Sequence, residues 1–189
     1  MGKILFAEQG GVHVLKFIGD VRLTLGPTIS AFLETLESCD HFQSMIIDLS
    51  ETETIDSTSL GLIAKIGICT RDYFDSGSSI VSPRADISRV LRSMAMEEVC
   101  VVTSEVLTEA SSLQELPTEI SSEAVLRDQV LDAHKTLMAL GDQNFDKFQD
   151  LVKALEYEKA LEYEKALEYE KAHECSEDEP GHPTSATGT

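Results

Sequence analysis

One run of side chains stands out as able to do chemistry at a hydroxyl: Asp56-Ser57-Thr58-Ser59-Leu60-Gly61. It follows the apolar stretch Met45-Ile46-Ile47-Asp48-Leu49 through a polar loop at 50–55, and it opens an apolar segment at helical spacing. Asp and Ser are favoured at helix starts, where a side-chain oxygen accepts from a free backbone N–H, so capping alone would account for the composition. The same geometry serves a second purpose. A hydroxyl at a helix start is exposed, and a phosphate placed there meets unpaired N–H groups at the positive end of the helix dipole. Phosphorylation adds nearly two negative charges, enough to abolish a docking contact by repulsion without unfolding anything. Asp56 opposes that added charge, so a phosphate gains less from the dipole than it would on an isolated serine.

Other chemistries lack their residues. There is no G-x-S-x-G elbow, no P-loop and no G-x-G-x-x-G. The five histidines are His13, His41, His134, His173 and His182. His13 alternates within a strand-like run and His41 sits in a predicted loop. A hydrolase would need a base for its serine, and no motif places one. His173, Cys175 and His182 fall in a polar tail without a matching metal partner. The reading is therefore no enzyme, no metal and no cofactor. Cys39, Cys69, Cys100 and Cys175 show no C-x-x-C spacing and read as small hydrophobes rather than a disulfide framework.

The chain has 189 residues with 15 Lys+Arg against 34 Asp+Glu, a formal net charge of −19. Phosphate backbones and anionic lipid surfaces are bound by basic clusters, which are missing here, so nucleic acid and membrane surfaces are excluded as partners. No stretch approaches the ~20 apolar residues of a membrane span, and the first residues lack the layout of a signal peptide. A cytoplasmic protein is expected.

The elements that must position Ser57 can be read from periodicity. Lys3–Ala7 and Val12–Ile18 are apolar runs separated by Gln9-Gly10-Gly11, which predicts an antiparallel hairpin. Pro27, Ile29, Phe32, Leu33 and Leu36 mark a helix with proline in its first turn. Met45–Leu49 is a strand short enough to be covered on both faces. Leu60, Ile63, Ala64, Ile66, Gly67 and Thr70 mark a helix to about Phe74. Ser78–Val81 is a strand, Ile87, Val90, Leu91 and Met94 a third helix, and Val99–Val102 a last strand. The order β-β-α-β-α-β-α-β predicts an α/β domain, a mixed sheet with packed helices, over residues 1–104.

Beyond it, 105–121 reads as a linker broken by Pro117, and 122–172 as a helical extension. Leu126, Val130, Ala133, Leu137 and Leu140 form one stripe, interrupted at Gly141-Asp142-Gln143-Asn144 as a helix stop and restart. Phe145, Phe148, Val152 and Leu155 continue it. Such a stripe docks on the domain itself, on a partner, or on a second copy to make a homodimer. Residues 153–170 are three copies of Lys-Ala-Leu-Glu-Tyr-Glu. Six residues advance a helix by about 600°, so successive leucines step ~120° and no coiled-coil seam forms. A solvated helical spacer is predicted, then a disordered tail at 173–189.

The string Asp56-Ser57-Thr58-Ser59-Leu60-Gly61 resembles the anti-sigma-factor antagonist family, the STAS domains, which carry Asp-Ser-(Ser/Thr)-Gly-Leu-Gly there. The resemblance spans about residues 1–104. It includes Gly19-Asp20-Val21 after the second strand, and Ser82-Pro83 followed by Asp86-Ile87-Ser88-Arg89-Val90-Leu91. It implies a switch in a bacterial partner-switching pathway. Ser57 would be phosphorylated by an anti-sigma factor that is itself a serine kinase, with Thr58 as the second acceptor. The unmodified form would bind that anti-sigma factor and release the sigma factor, and a metal-dependent serine phosphatase would reset it. Asp20, Arg22, Asp56, Ser57, Thr58, Ser59 and Leu60 are then the residues expected to meet the partner. Two departures mark this chain: Arg22 follows Gly19-Asp20-Val21, and Ser59 stands where glycine is usual. The alternative is a non-phosphorylated STAS subunit, an accessory or scaffold of a membrane transport complex.

Overall fold

A computed structural model describes residues 2–36, 41–74, 77–105 and 112–174. The chain divides into two units, Met1–Val152 and Lys153–Thr189.

In the first unit, strands β1 (Lys3–Gln9) and β2 (Val12–Val21) pair antiparallel, from Lys3 opposite Ile18 to Gln9 opposite Val12. Gly10 and Gly11 join them with φ of +59° and +84°. Two successive positive φ values make the tight turn whose twist suits a hairpin, and glycine adopts them without penalty. After a 3-10 turn at Leu23–Leu25 comes α1 (Gly26–Leu36), which buries Ile29, Phe32 and Leu36. Strand β3 (Ser44–Ile55) runs parallel to β2.

Strand β3 departs from expectation. Residues 50–55, predicted as a polar loop, form the second half of the strand and pair with the end of β2, Val21 lying opposite Ile55. Thr52 faces inward, fully buried, and donates its hydroxyl to the Phe17 carbonyl at 3.1 Å. Glu51, Glu53 and Thr54 face solvent. The ladder satisfies the backbone, so polar side chains on the outer positions cost the strand little.

Helix α2 (Ser57–Phe74), β4 (Ser78–Val81), α3 (Ala85–Ser93), a 3-10 turn at Met96–Glu98 and β5 (Cys100–Thr103) follow in the predicted order. Strand β6 (Gln114–Glu115) adds antiparallel to β1, a two-residue strand with no apolar pattern to announce it. The mixed sheet has the order β5-β4-β3-β2-β1-β6, with β2 to β5 parallel. This is the α/β class expected. Leu15, Phe17, Ile47, Leu49 and Ile80 from the sheet meet Ile29, Leu60, Ile63 and Leu91 from the helices in one core. Cys69 and Cys100 are free thiols within it, and burial pushes Cys100 up to about 12.

Helix α4 (Glu123–Met138) begins with Ser122 accepting from the Val125 amide at 3.4 Å, and α5 (Asp142–Glu174) follows. Of the three fates open to the apolar stripe, docking on the domain is observed. Ala133, Leu137 and Phe148 belong to the same core, and Leu131 and Val152 are buried.

The second unit, taken alone, continues α5 through the six-residue repeats as far as Glu174. Tyr157, Tyr163 and Tyr169 are exposed. The expected disordered tail lies, from residue 175 onward, outside the described residues, as do Cys39, Cys175 and His182. Among the described residues no helix is long and apolar enough to cross a membrane.

Candidate functional site at the start of α2

The site is assembled around Asp56, the residue between β3 and α2. Its backbone amide donates to the Val21 carbonyl at 3.1 Å, which fixes it to the end of β2. Its Oδ1 accepts the Ser59 amide at 2.8 Å, satisfying one of the free donors of the first turn, and its carbonyl accepts the Leu60 amide at 3.1 Å as the first bond of the helix. Its Oδ2 accepts the Leu23 amide at 2.8 Å. Asp56 is thus both the cap of α2 and the clasp holding the β2–α1 connection against it. Asp56→Ala removes a cap and leaves the Leu23 amide unpaired, so a loss of about 1–2 kcal/mol is expected, read as a lower urea midpoint at unchanged slope.

Asp20 and Arg22 flank this clasp on the exposed side. Thr54 donates its hydroxyl to Asp20 Oδ1 at 2.7 Å, and Arg22 Nη2 donates to Thr54 Oγ1 at 3.4 Å. These three side chains form a polar surface next to the α2 start, with Gly19 at φ +73° where β2 loses register with β3.

The three consecutive hydroxyls have different fates. Ser57 is half-buried, while Thr58 is 6% exposed and Ser59 fully buried. Leu60 is likewise fully buried in the core. Three of the seven residues expected to meet a partner therefore turn their side chains inward, because a helix packed on a sheet buries the positions that follow its first residue. Asp20, Arg22, Asp56 and Ser57 stay at the surface or its edge. Among the described residues the Ser59 hydroxyl has no hydrogen-bond partner. Ser59→Ala removes a buried unpaired group and improves helix propensity, so a gain of up to about 1 kcal/mol is expected in thermal unfolding.

Ser57 has a partner that no motif foretold. Its Oγ lies 2.9 Å from Nε2 of His134 on α4, 77 residues away. The other ring nitrogen, Nδ1, is 2.7 Å from the Val130 carbonyl. A carbonyl only accepts, so Nδ1 carries the hydrogen; in the neutral ring Nε2 is then the acceptor, and Ser57 donates its O–H to it. The imidazole is 3% exposed and stands edge-on to Phe148, ring centroids 5.0 Å apart. Sequence reasoning placed position 134 on a helix but had no means to bring it to position 57. Chemically the pair is a hydroxyl held against a base whose orientation is fixed by a third group.

Helix α4 lies along α2 at this point. The Ala133 carbonyl sits over Gly61, Lys65 pairs with Asp132, and Gln129 Nε2 donates to Ser30 Oγ of α1 at 3.0 Å. Among the described residues no three His, Cys, Asp or Glu side chains gather as a metal site.

No protein-family model matches the sequence, and no curated protein does. Among solved structures, the chain is similar to the anti-sigma factor antagonist SpoIIAA in its unphosphorylated form. The likeness has a TM-score of 0.45 at 13% identity and covers 54% of this chain and 87% of that one.

Proposed function

We propose that this chain is a bacterial, cytoplasmic anti-sigma-factor antagonist, a protein-binding module switched by phosphate on Ser57 rather than an enzyme. The observation that carries the reading is the contrast between the hydroxyls of 57–59. Only Ser57 has its side chain at the edge of the surface, at the first residue of a helix capped by Asp56. Thr58, the second candidate acceptor, is buried. A phosphate at Ser57 adds to the negative charge of Asp56, its neighbour in the chain, and the combined charge repels a partner that docks on this face. The partner is an anti-sigma factor with serine kinase activity, bound through Asp20, Arg22, Asp56 and Ser57, and a serine phosphatase restores the binding form.

Phosphosite mapping by mass spectrometry on protein from its own cells, across growth conditions, tests this. Phosphate at Ser57 that varies with condition is the expected result. Its persistent absence overturns the switch and favours the constitutive accessory or scaffold reading.

A further inference from the structure

We infer that α4 is a displaceable cover on the switch, and that a phosphoryl group on Ser57 and α4 seated on α2 exclude one another. The inference deepens the reading of Ser57 as the acceptor and rests on it for its biological meaning; its geometry stands on its own.

The first ground is space. Ser57 Oγ and His134 Nε2 are in hydrogen-bond contact at 2.9 Å. A phosphate ester puts a phosphorus and three oxygens on Oγ, and a gap already closed by one hydrogen bond does not admit them. The hydroxyl proton that Ser57 donates to Nε2 is also the one the ester replaces, so the contact loses its donor as it gains bulk.

The second ground is the lack of slack on the α4 side. The imidazole cannot swing aside without giving up the Val130 carbonyl, 2.7 Å from Nδ1, and its edge contact with Phe148. Helix α4 cannot move closer to α2 here, because the Ala133 carbonyl already rests in the notch at Gly61, where even a Cβ would stand 2.3 Å from that oxygen.

The third ground is charge. The phosphate brings roughly 1.5–2 negative charges to a half-buried position beside the Asp56 carboxylate. With α4 in place, part of that charge is held away from water next to an imidazole 3% exposed and an aromatic ring. Lifting α4 hydrates it, and desolvating a charge is among the most costly events in folding. Against that cost stands what holds α4 in place. The Lys65–Asp132 pair is half-exposed, and exposed ion pairs contribute little. Beside it stand the burial of Leu131, Ala133 and Leu137, the Gln129–Ser30 bond and, at the far end of α4, the Asn144 amide on the Leu137 carbonyl.

Phosphorylation therefore has an internal output. It repels a partner from the Asp20–Asp56 surface, and it frees the amphipathic α4 while uncovering the α2 face around Gly61 and Lys65.

The test uses the full chain with phosphoserine installed at position 57 during translation, compared with unmodified chain by amide hydrogen exchange resolved to peptides. Exchange in 123–138 is expected to rise by about tenfold or more while β3 keeps its protection. Ser57→Ala, which removes the hydrogen bond without bulk or charge, is expected to raise it only a few-fold. Unchanged exchange in α4 of the phosphoserine chain overturns the inference. So does slower exchange, which would mean that a protonated His134 clasps the phosphate. Should β3 lose protection too, the reading is taken on Ser57→Asp, where α4 exchange no faster than in Ser57→Ala overturns it. Because no kinase is involved, failure to find phosphate on Ser57 in cells defeats the proposed switch but leaves this exclusion to its own result.

Discussion

Gly61→Ala is expected to lower stability by about 2–3 kcal/mol, a drop in Tm of roughly 5–10 °C for a chain of this size. On helix propensity alone the substitution should help, since glycine inside a helix costs about 1 kcal/mol relative to alanine. The packing reverses the sign. A Cβ at position 61 would stand 2.3 Å from the Ala133 carbonyl oxygen, 2.7 Å from its carbon and 2.8 Å from Ala133 Cα. All three are backbone atoms of α4, so no rotamer change relieves the clash, and the two helices must separate. Separation withdraws Ala133 and Leu137 from the core and breaks the Ser57–His134 contact. Circular dichroism melts of wild type and variant check the stability, and exchange of 123–138 checks where the loss falls. A Tm equal to or above wild type would show that α4 does not rest on Gly61.

The residues that were legible in the sequence are those whose structure follows from their own neighbours. The hairpin came from Gly10-Gly11 between apolar runs, α1 from Pro27 and the spacing of Ile29, Phe32 and Leu36, and the buried half of β3 from Met45–Leu49. Each is a local pattern with a local physical cause. The polar half of β3 was read as a loop because Ser50–Thr54 lack apolar alternation, and the ladder with β2 that holds them is made by residues more than thirty positions away. The hydroxyl string announced the start of α2 and Asp56 as a capping type. Which hydroxyl remains reachable was not legible, since that depends on how deeply α2 sinks onto the sheet. His134 is the clearest case. Its helix was predicted and its side chain was visible in the list of histidines, but its meeting with Ser57 depends on α4 crossing α2 at Gly61, a tertiary event without a sequence period.

Asn144, in the expected helix stop and restart, carries a role of the same tertiary kind, and it sets up the second large effect. In sequence, Gly141-Asp142-Gln143-Asn144 has the composition of a turn, which it is in part: α5 begins at Asp142. Yet Asn144 is 1% exposed, and its Nδ2 donates to the carbonyls of both Met94 and Leu137 at 2.9 Å. Those carbonyls lie at the ends of α3 and α4, where carbonyls lack the usual i+4 donor; the Leu137 carbonyl also accepts the Leu140 amide at 3.1 Å. One amide therefore closes two helix ends and pins the start of α5 to them. Asn144→Ala strands the Met94 carbonyl in the interior and takes one of two donors from the Leu137 carbonyl, which keeps the Leu140 amide at 3.1 Å, so a cost of about 1–3 kcal/mol is expected. Asn144→Asp is expected to cost at least as much at pH 7, although it is nearly the same shape. A carboxylate has no hydrogen to give, so it would set its own oxygens against two carbonyls in a buried site. The two variants separate on acidification. Burial and the facing carbonyls raise the folded-state pKa of the introduced carboxyl, so the native state takes up a proton more readily than the unfolded chain, and the protonated group can donate to one of the carbonyls. Stability of Asn144→Asp relative to Asn144→Ala should therefore rise as pH falls. Urea midpoints of both variants at pH 7 and pH 5 measure this. Parallel behaviour of the two would mean that the side chain fills space at this junction rather than donating hydrogen bonds across it.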